Sequence, residues 1–135
     1  MKRLNGNVTL ITGGGKGIGY GLAEAFAEEG SNLVITGRTE SRLIAAKEKL
    51  EAKYGIEVLP LVADGANEEA IKMVVAKTIE KFGKINTLVN NAQVSKSGMP
   101  LVEHTKADFD LAIYSGLYAA FFYMRECFPY LKATR

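Results

Sequence analysis

The stretch "LITGGGKGIGYGLAEAF", Leu10 to Phe26, decides how the rest of the chain is read. It opens on the end of an apolar, β-branched run. It then places five glycines in the seven residues Gly13–Gly19 and continues into alanine-rich helical sequence. Glycine loses more backbone entropy on folding than any other residue, so such a concentration needs a structural return. A strand-to-helix turn supplies one. Without side chains the backbone can approach a bound group closely. The helix that follows presents unpaired N–H groups and the positive end of its dipole, which suits a phosphate. A nucleotide triphosphatase loop would require Gly-Lys followed by Ser or Thr to hold magnesium. Here Lys16 is followed by Gly17, and that reading is rejected.

Outward from the turn, the elements alternate. Residues 7–12 form the first strand and 18–30 a helix closed by Gly30. "NLVIT" (32–36) is a second strand, followed by a helix from Thr39, its N-cap, to about Tyr54, with Gly55 as its stop. Residues 56–63 make a third strand. Pro60 within it predicts an edge position, because proline cannot donate to the ladder. Asn67 caps a helix whose Ile71, Val74, Val75, Ile79 and Phe82 share one face, with Gly83 at its end. "INTLVNNA" (85–92) is a fourth strand. The spacing then predicts one long helix from Thr105 to about Leu131, with Thr105 and Asp108 resembling a capping box. The βαβαβαβα pattern points to a single α/β domain, a parallel sheet with helices on both faces, and ligands bind at the carboxyl ends of such strands.

Composition excludes several function classes. The chain has 135 residues, 47% hydrophobic and 24% charged, which suits one globular domain. A net charge of +2 gives no reason to expect nucleic acid or a membrane as partner. The longest uncharged run, Leu111–Met124, is 14 residues, short of the roughly 20 that span a bilayer. The start has no signal-peptide pattern. Cys127 is the single cysteine, so no internal disulfide can form. A cytoplasmic location is expected. No metal-binding cluster of residues is present.

The spacing Thr12-Gly13-x-x-x-Gly17-Ile18-Gly19 resembles the TGxxxGIG fingerprint of the short-chain dehydrogenases/reductases. "NNAQ" at 90–93 is similar to that family's NNAG, at the end of the fourth strand where the family has it. The resemblance runs in order along the whole chain. It implies a Rossmann-type, doubly wound parallel sheet with strand order 3-2-1-4, forming the amino-terminal part of a longer domain over residues 1–135. It also implies a cofactor site. Gly13, Gly17 and Gly19 would shape the pyrophosphate turn, Gly15 would lie within it, and Ile18 would sit at its helix start. Asp64 would contact adenine, and Asn90 and Ala92 would lie along the adenosine ribose and the cofactor backbone. Two of these have other readings: Asn90 as a buried amide tying the fourth strand to its neighbours, and Asp64 as a solvated loop residue or helix cap.

The second strand ends in "VITGRTE", where Gly37 stands in the place of the acid that would bond the ribose 2′-hydroxyl of NAD. Arg38 follows, with a planar, always-charged fork that matches phosphate geometry. Lys16 adds a second cation, and together they favour NADP(H) over NAD(H).

The hydride-transfer groups are a different matter. The family uses a serine, a Tyr-x-x-x-Lys pair and an asparagine in the preceding long helix. A phenol titrates near 10, so a neighbouring ammonium is needed to make it useful at neutral pH. No Tyr-x-x-x-Lys occurs among the six tyrosines, and no strand follows Leu131. Gly116 stands at the asparagine position beside Ser115, and Gln93 replaces the last glycine of NNAG. His104, the single histidine, reads as a surface residue. No catalytic residue is therefore assigned. The chain reads as the cofactor-binding half of an oxidoreductase acting on a small carbonyl or alcohol, residues 1–135 alone being inactive, or as a non-catalytic NADP(H)-binding module. The helix at 108–131, apolar nearly all round, predicts a homodimer or homotetramer contact.

Overall fold

The computed structural model describes every residue, Met1–Arg135. Four strands, β1 (Val8–Ile11), β2 (Asn32–Gly37), β3 (Val58–Val62) and β4 (Thr87–Val89), form one parallel sheet in the order β3-β2-β1-β4. Between them lie α1 (Gly17–Glu28), α2 (Glu40–Tyr54) and α3 (Glu68–Phe82). After β4 come α4 (Lys106–Ala112), a π-helical segment (Ile113–Tyr118) and α5 (Ala119–Ala133).

The buried strands alternate strictly between two cores. Val8, Leu10 and Val34 pack with Ile71, Val74 and Val75 of α3 and Ala119, Tyr123 and Cys127 of α5. Ile11, Leu33 and Ile35 face the other way, onto Ala23 and Ala27 of α1 and Leu43, Ala46 and Leu50 of α2. With both faces covered, the central strands read as continuous apolar runs. Ile79 and Phe82 are partly buried against the first core, so all five residues expected on one face of α3 point inward.

Pro60 lies on the edge strand, opposite Ile35. At the two ends of β3, the Glu57 carbonyl accepts the Leu33 N–H and the Ala63 N–H donates to the Gly37 carbonyl, both in β2. The odd-numbered residues therefore face the sheet, and the N–H that Pro60 lacks would have pointed away from it. Helix ends follow their local chemistry. Asn67 Oδ1 accepts the Ala70 N–H at 3.1 Å, and Gly55 and Gly83 close α2 and α3 in the left-handed conformation. Thr105 and Asp108 complete a reciprocal capping box, each bond 3.1 Å. Thr39 occupies the N-cap position of α2, but its side chain makes no capping bond.

Three expectations are corrected. The fourth strand is three residues rather than eight, because beyond Val89 the chain turns to bond the glycine turn and leaves the ladder. The helix from Thr105 is interrupted at Ile113–Tyr118. Gly116, a weak helix former, lies in this segment. The Ser115 hydroxyl is drawn across to Val94, accepting its N–H and donating to its carbonyl, each at 2.9 Å. His104 is half-buried at the end of a 3-10 turn (Leu101–Glu103), not fully at the surface.

Candidate functional site

At the carboxyl ends of the strands a cavity of about 840 Å³ opens between the glycine turn, the β2–α2 and β3–α3 connections, the segment after β4 and the π-helical segment. That volume suits a ligand of cofactor size. Gly13, Gly15, Lys16, Gly17, Ile18, Gly19, Arg38, Asp64, Asn90 and Ala92, separated by up to 79 positions in sequence, all line it. Gln93, Ser115 and Gly116 line it too, whereas His104 does not.

The glycine turn is held from behind and open in front. The Gly13 and Gly14 N–H groups are taken by the Thr36 hydroxyl (3.4 Å) and carbonyl (3.1 Å). Those of Gly17, Ile18 and Gly19 open α1 and have no acceptor within the helix. α1 has no acidic residue in its first turn and no side-chain cap. By contrast, α2 and α3 carry Glu40 and Glu68–Glu69 there. The positive end of the α1 dipole thus faces the cavity without an internal counter-charge.

Two glycine features have a visible cause. Gly13 and Gly17 adopt positive φ, +68° and +57°. A Cβ on Gly19 would collide with the Gly13 carbonyl oxygen and lie 2.6 Å from Asn91 Nδ2.

The segment after β4 is bonded to the turn through Thr12, which is buried. Its hydroxyl oxygen accepts the N–H groups of both Asn91 and Ala92 at 2.9 Å. Asn91 Nδ2 returns bonds to the carbonyls of Thr12 (3.1 Å) and Gly13 (3.3 Å). This corrects one reading: the amide that ties the fourth strand to its neighbour belongs to Asn91, while Asn90 is exposed on the cavity wall. The signal was available in the alternation of β4. Leu88 packs into the α3–α5 core and Val89 into the α1–α2 core, so Asn91, in step with Val89, belongs on the glycine-turn side.

Asp64 is exposed, and one carboxylate oxygen accepts the Ala66 N–H at 2.9 Å in a local turn. Its role as a solvated turn residue is compatible with its place on the cavity wall.

Electrostatically the cavity is lopsided. Lys16, Arg38 and Arg42 crowd the end beneath the β2–α2 connection. All three are exposed, and none is paired with a carboxylate. Arg42, which the sequence reading did not single out, lies in the first turn of α2 and joins Arg38 and Lys16 on the cavity wall. Tyr123 closes the cavity floor. Burial pushes its phenol up to about 12, with a contact to Thr36 acting weakly in the opposite sense. It therefore remains protonated at neutral pH.

Residues 7–135 match the short chain dehydrogenase family. The chain belongs to that family. Among its relatives, the 12alpha-hydroxysteroid dehydrogenase of a Clostridium species is 58% identical over 141 aligned positions, which cover 100% of this chain and 54% of that protein. The structure of L-sorbose reductase from Gluconobacter frateurii, complexed with NADPH and L-sorbose, superimposes with a TM-score of 0.92 at 33% identity, covering 98% of this chain and 51% of that one. NAD⁺-bound xylitol dehydrogenase superimposes with a TM-score of 0.91 at 29% identity, covering 98% and 50%. The chain thus spans about half the length of the relatives it matches. Its sheet order and the glycine turn at the end of β1 are those of a short-chain dehydrogenase. Since the neighbours bind NADPH in one case and NAD⁺ in another, the choice between them lies in this chain's own residues. No helix is long and apolar enough to cross a membrane.

Proposed function

We propose that this chain is the cofactor-binding half of an NADP(H)-dependent oxidoreductase that interconverts a secondary alcohol and its carbonyl, with hydroxysteroids as the substrate class. The observation that carries the cofactor choice is the unpaired cluster of Lys16, Arg38 and Arg42 at one end of the cavity, beside Gly37 where no carboxylate stands to repel a phosphate. Arginine presents a bidentate fork to a phosphate, and lysine adds a point charge. The backbone cradle fits a pyrophosphate: it is closed to a Cβ at Gly19, and the first N–H groups of α1 face the cavity. Asp64, Asn90 and Ala92 would line the adenosine side. The substrate class rests on the 58% identity to the 12alpha-hydroxysteroid dehydrogenase.

When bound, the nicotinamide would supply or accept the hydride. This chain's residues would anchor the phosphates, fix the position of the reacting ring and shield one side of it. They supply no general acid. The tyrosine on the cavity floor is pushed up to about 12 by burial, and residues 1–135 alone are expected to turn over no substrate. Cys127, a buried free thiol, is compatible with a reducing, cytoplasmic setting.

An oligomer through the last helices belongs to the same proposal. Ser115, Ala119, Tyr123 and Cys127 turn inward, while Tyr114, Leu117, Tyr118, Phe121, Met124 and Phe128 are 43–65% exposed on the opposite side. An apolar stripe of that length marks an interaction face, here assigned to a second copy of the chain.

The test is titration of the protein expressed from its full reading frame with NADPH and NADH. Charge-assisted hydrogen bonds contribute about 1.5–3 kcal/mol each, which exposure to water reduces. A preference for NADPH of about tenfold to a hundredfold is expected, most of it lost in Arg38→Ala. NADH bound as tightly as NADPH would overturn the cofactor choice. Absence of any 12α-hydroxysteroid oxidation with NADP⁺ would overturn the substrate class.

A further inference from the structure

Gln93 and Gly116 meet at the end of the cavity remote from the cations. A Cβ built on Gly116 would lie 3.5 Å from Gln93 Cγ and 3.9 Å from its Cδ. The Gln93 side chain therefore borders the space at residue 116: a Cβ there would touch it at ordinary van der Waals distance, and a longer side chain would share its surroundings. Its carboxamide makes no hydrogen bond within the chain, although it carries two donors and an acceptor. Three polar groups near it are engaged or buried. The Ser115 hydroxyl is held on Val94. The Thr12 oxygen carries two N–H groups. The Tyr123 phenol is buried.

The backbone next to Gln93 is fixed as well. The two 2.9 Å bonds from Ser115 grip both main-chain groups of Val94, and they join the loop after β4 to the π-helical segment one residue from Gly116. Ser115 itself is 6% exposed, so water competes little for these bonds. Gln93 is exposed on the cavity wall next to this anchored backbone, with its carboxamide free to meet a bound molecule.

We propose that Gln93 and Gly116 form a reciprocal pair. One carboxamide serves the hydride-transfer end of the cavity, the loop after β4 supplies it through Gln93, and Gly116 leaves it room. Gln93 hydrogen-bonds the reacting carbonyl or alcohol pair, and Ser115 is its positioning residue. The inference rests on the reading of the cavity as an NADP(H) site with its phosphates at the cationic end. An amide in this place serves the reaction more than the anchoring of the cofactor, because the phosphates bind at the far end.

The experiment uses the protein expressed from its full reading frame, with NADPH titration, steady-state kinetics and thermal unfolding measured together. In Gln93→Gly, kcat/KM is expected to fall about fivefold, the equivalent of one neutral hydrogen bond, with NADPH affinity and unfolding midpoint within about twofold and a degree or so of the parent. Gly116→Asn alone is expected to lower kcat/KM too, by crowding Gln93. The exchange variant Gln93→Gly with Gly116→Asn should recover most of the loss, giving a strongly non-additive cycle. Ser115→Ala should lower kcat/KM with a change in its pH profile like that of Gln93→Gly. Unchanged kcat/KM in Gln93→Gly, or additive effects in the cycle, would overturn the pairing. Failure of the parent protein to bind NADPH would instead overturn the cofactor reading on which it rests.

Discussion

Replacing Thr12 by valine tests whether the site is assembled by side-chain chemistry or by sheet pairing alone. The two side chains have nearly the same shape, so the change removes one oxygen and little volume. That oxygen accepts the N–H groups of Asn91 and Ala92 at 2.9 Å, and Thr12 is 3% exposed. Both N–H groups would lose their partner in a place water reaches poorly. A buried donor left unsatisfied costs about 1–3 kcal/mol, and the segment after Val89 can relax toward solvent, so about 2–4 kcal/mol in total is expected. The unfolding midpoint should fall by about 5–15 °C in a protein of this size class. Because the same bonds hold Asn90 and Ala92 on the cavity wall, NADPH affinity should weaken by about three- to tenfold. Thr12→Ser keeps the oxygen and loses one methyl group, so its loss should stay near 1 kcal/mol, about the value of a buried methylene. The assay is thermal unfolding of the three proteins with and without NADPH. If Thr12→Val is as stable as Thr12→Ser and binds NADPH equally well, the Thr12–Asn91 bonds do not assemble the site.

Two further outcomes follow from the buried helix face and its exposed counterpart. Burial pushes the Cys127 thiol up from 9.0 to about 12 and the Tyr123 phenol up from 10.0 to about 12. In the unfolded chain these groups lose their protons first, so the stability they confer is complete below about pH 9 and is lost as pH rises toward 12. The unfolding midpoint should therefore fall between about pH 9 and 12, less steeply in Cys127→Ala, and an equal slope in parent and variant would refute the assignment to Cys127. Phe121→Glu places a carboxylate in the exposed apolar stripe, 49% exposed in the single chain. Sedimentation should show a dimer or tetramer in the parent at about 10 μM and a shift of at least about tenfold in its dissociation constant in the variant, and a parent that sediments as a monomer would refute the contact.

The fold was legible because its signals are local and repeat. Each strand-to-helix change is marked by a glycine or a capping residue, and the fully buried strands carry the apolar runs that a two-faced parallel sheet requires. The edge position of β3 was readable from Pro60 alone. The last helix was not readable as broken, because its interruption depends on Ser115 reaching Val94 from 21 positions away. The end of β4 failed for a similar reason. Asn90 and Asn91 are identical in composition terms, and only the strand's phase, set by which core Leu88 and Val89 enter, separates the exposed amide from the bonded one.

The same distinction explains why the phosphate end of the site could be read residue by residue and the opposite end could not. At the glycine turn the contacts are made by backbone, so the sequence must leave side chains out, and each omission is visible: a Cβ at Gly19 has nowhere to go. The cationic end is nearly as plain, since Lys16 and Arg38 flank turns whose positions follow from the strands. Arg42 was missed because a basic residue in the first turn of a helix reads as an ordinary solvated face, and its approach to Lys16 is made only in the folded chain. At the Gln93–Gly116 end, one side chain is defined by the absence of another that is 23 positions away and joined to it only through space. Read singly, each looks like a lost functional residue, a glutamine where a glycine belongs and a glycine where an amide belongs. Side by side across the cavity wall, they are the ground of the pairing proposed above, in which the loop after β4 supplies the amide for that end of the cavity.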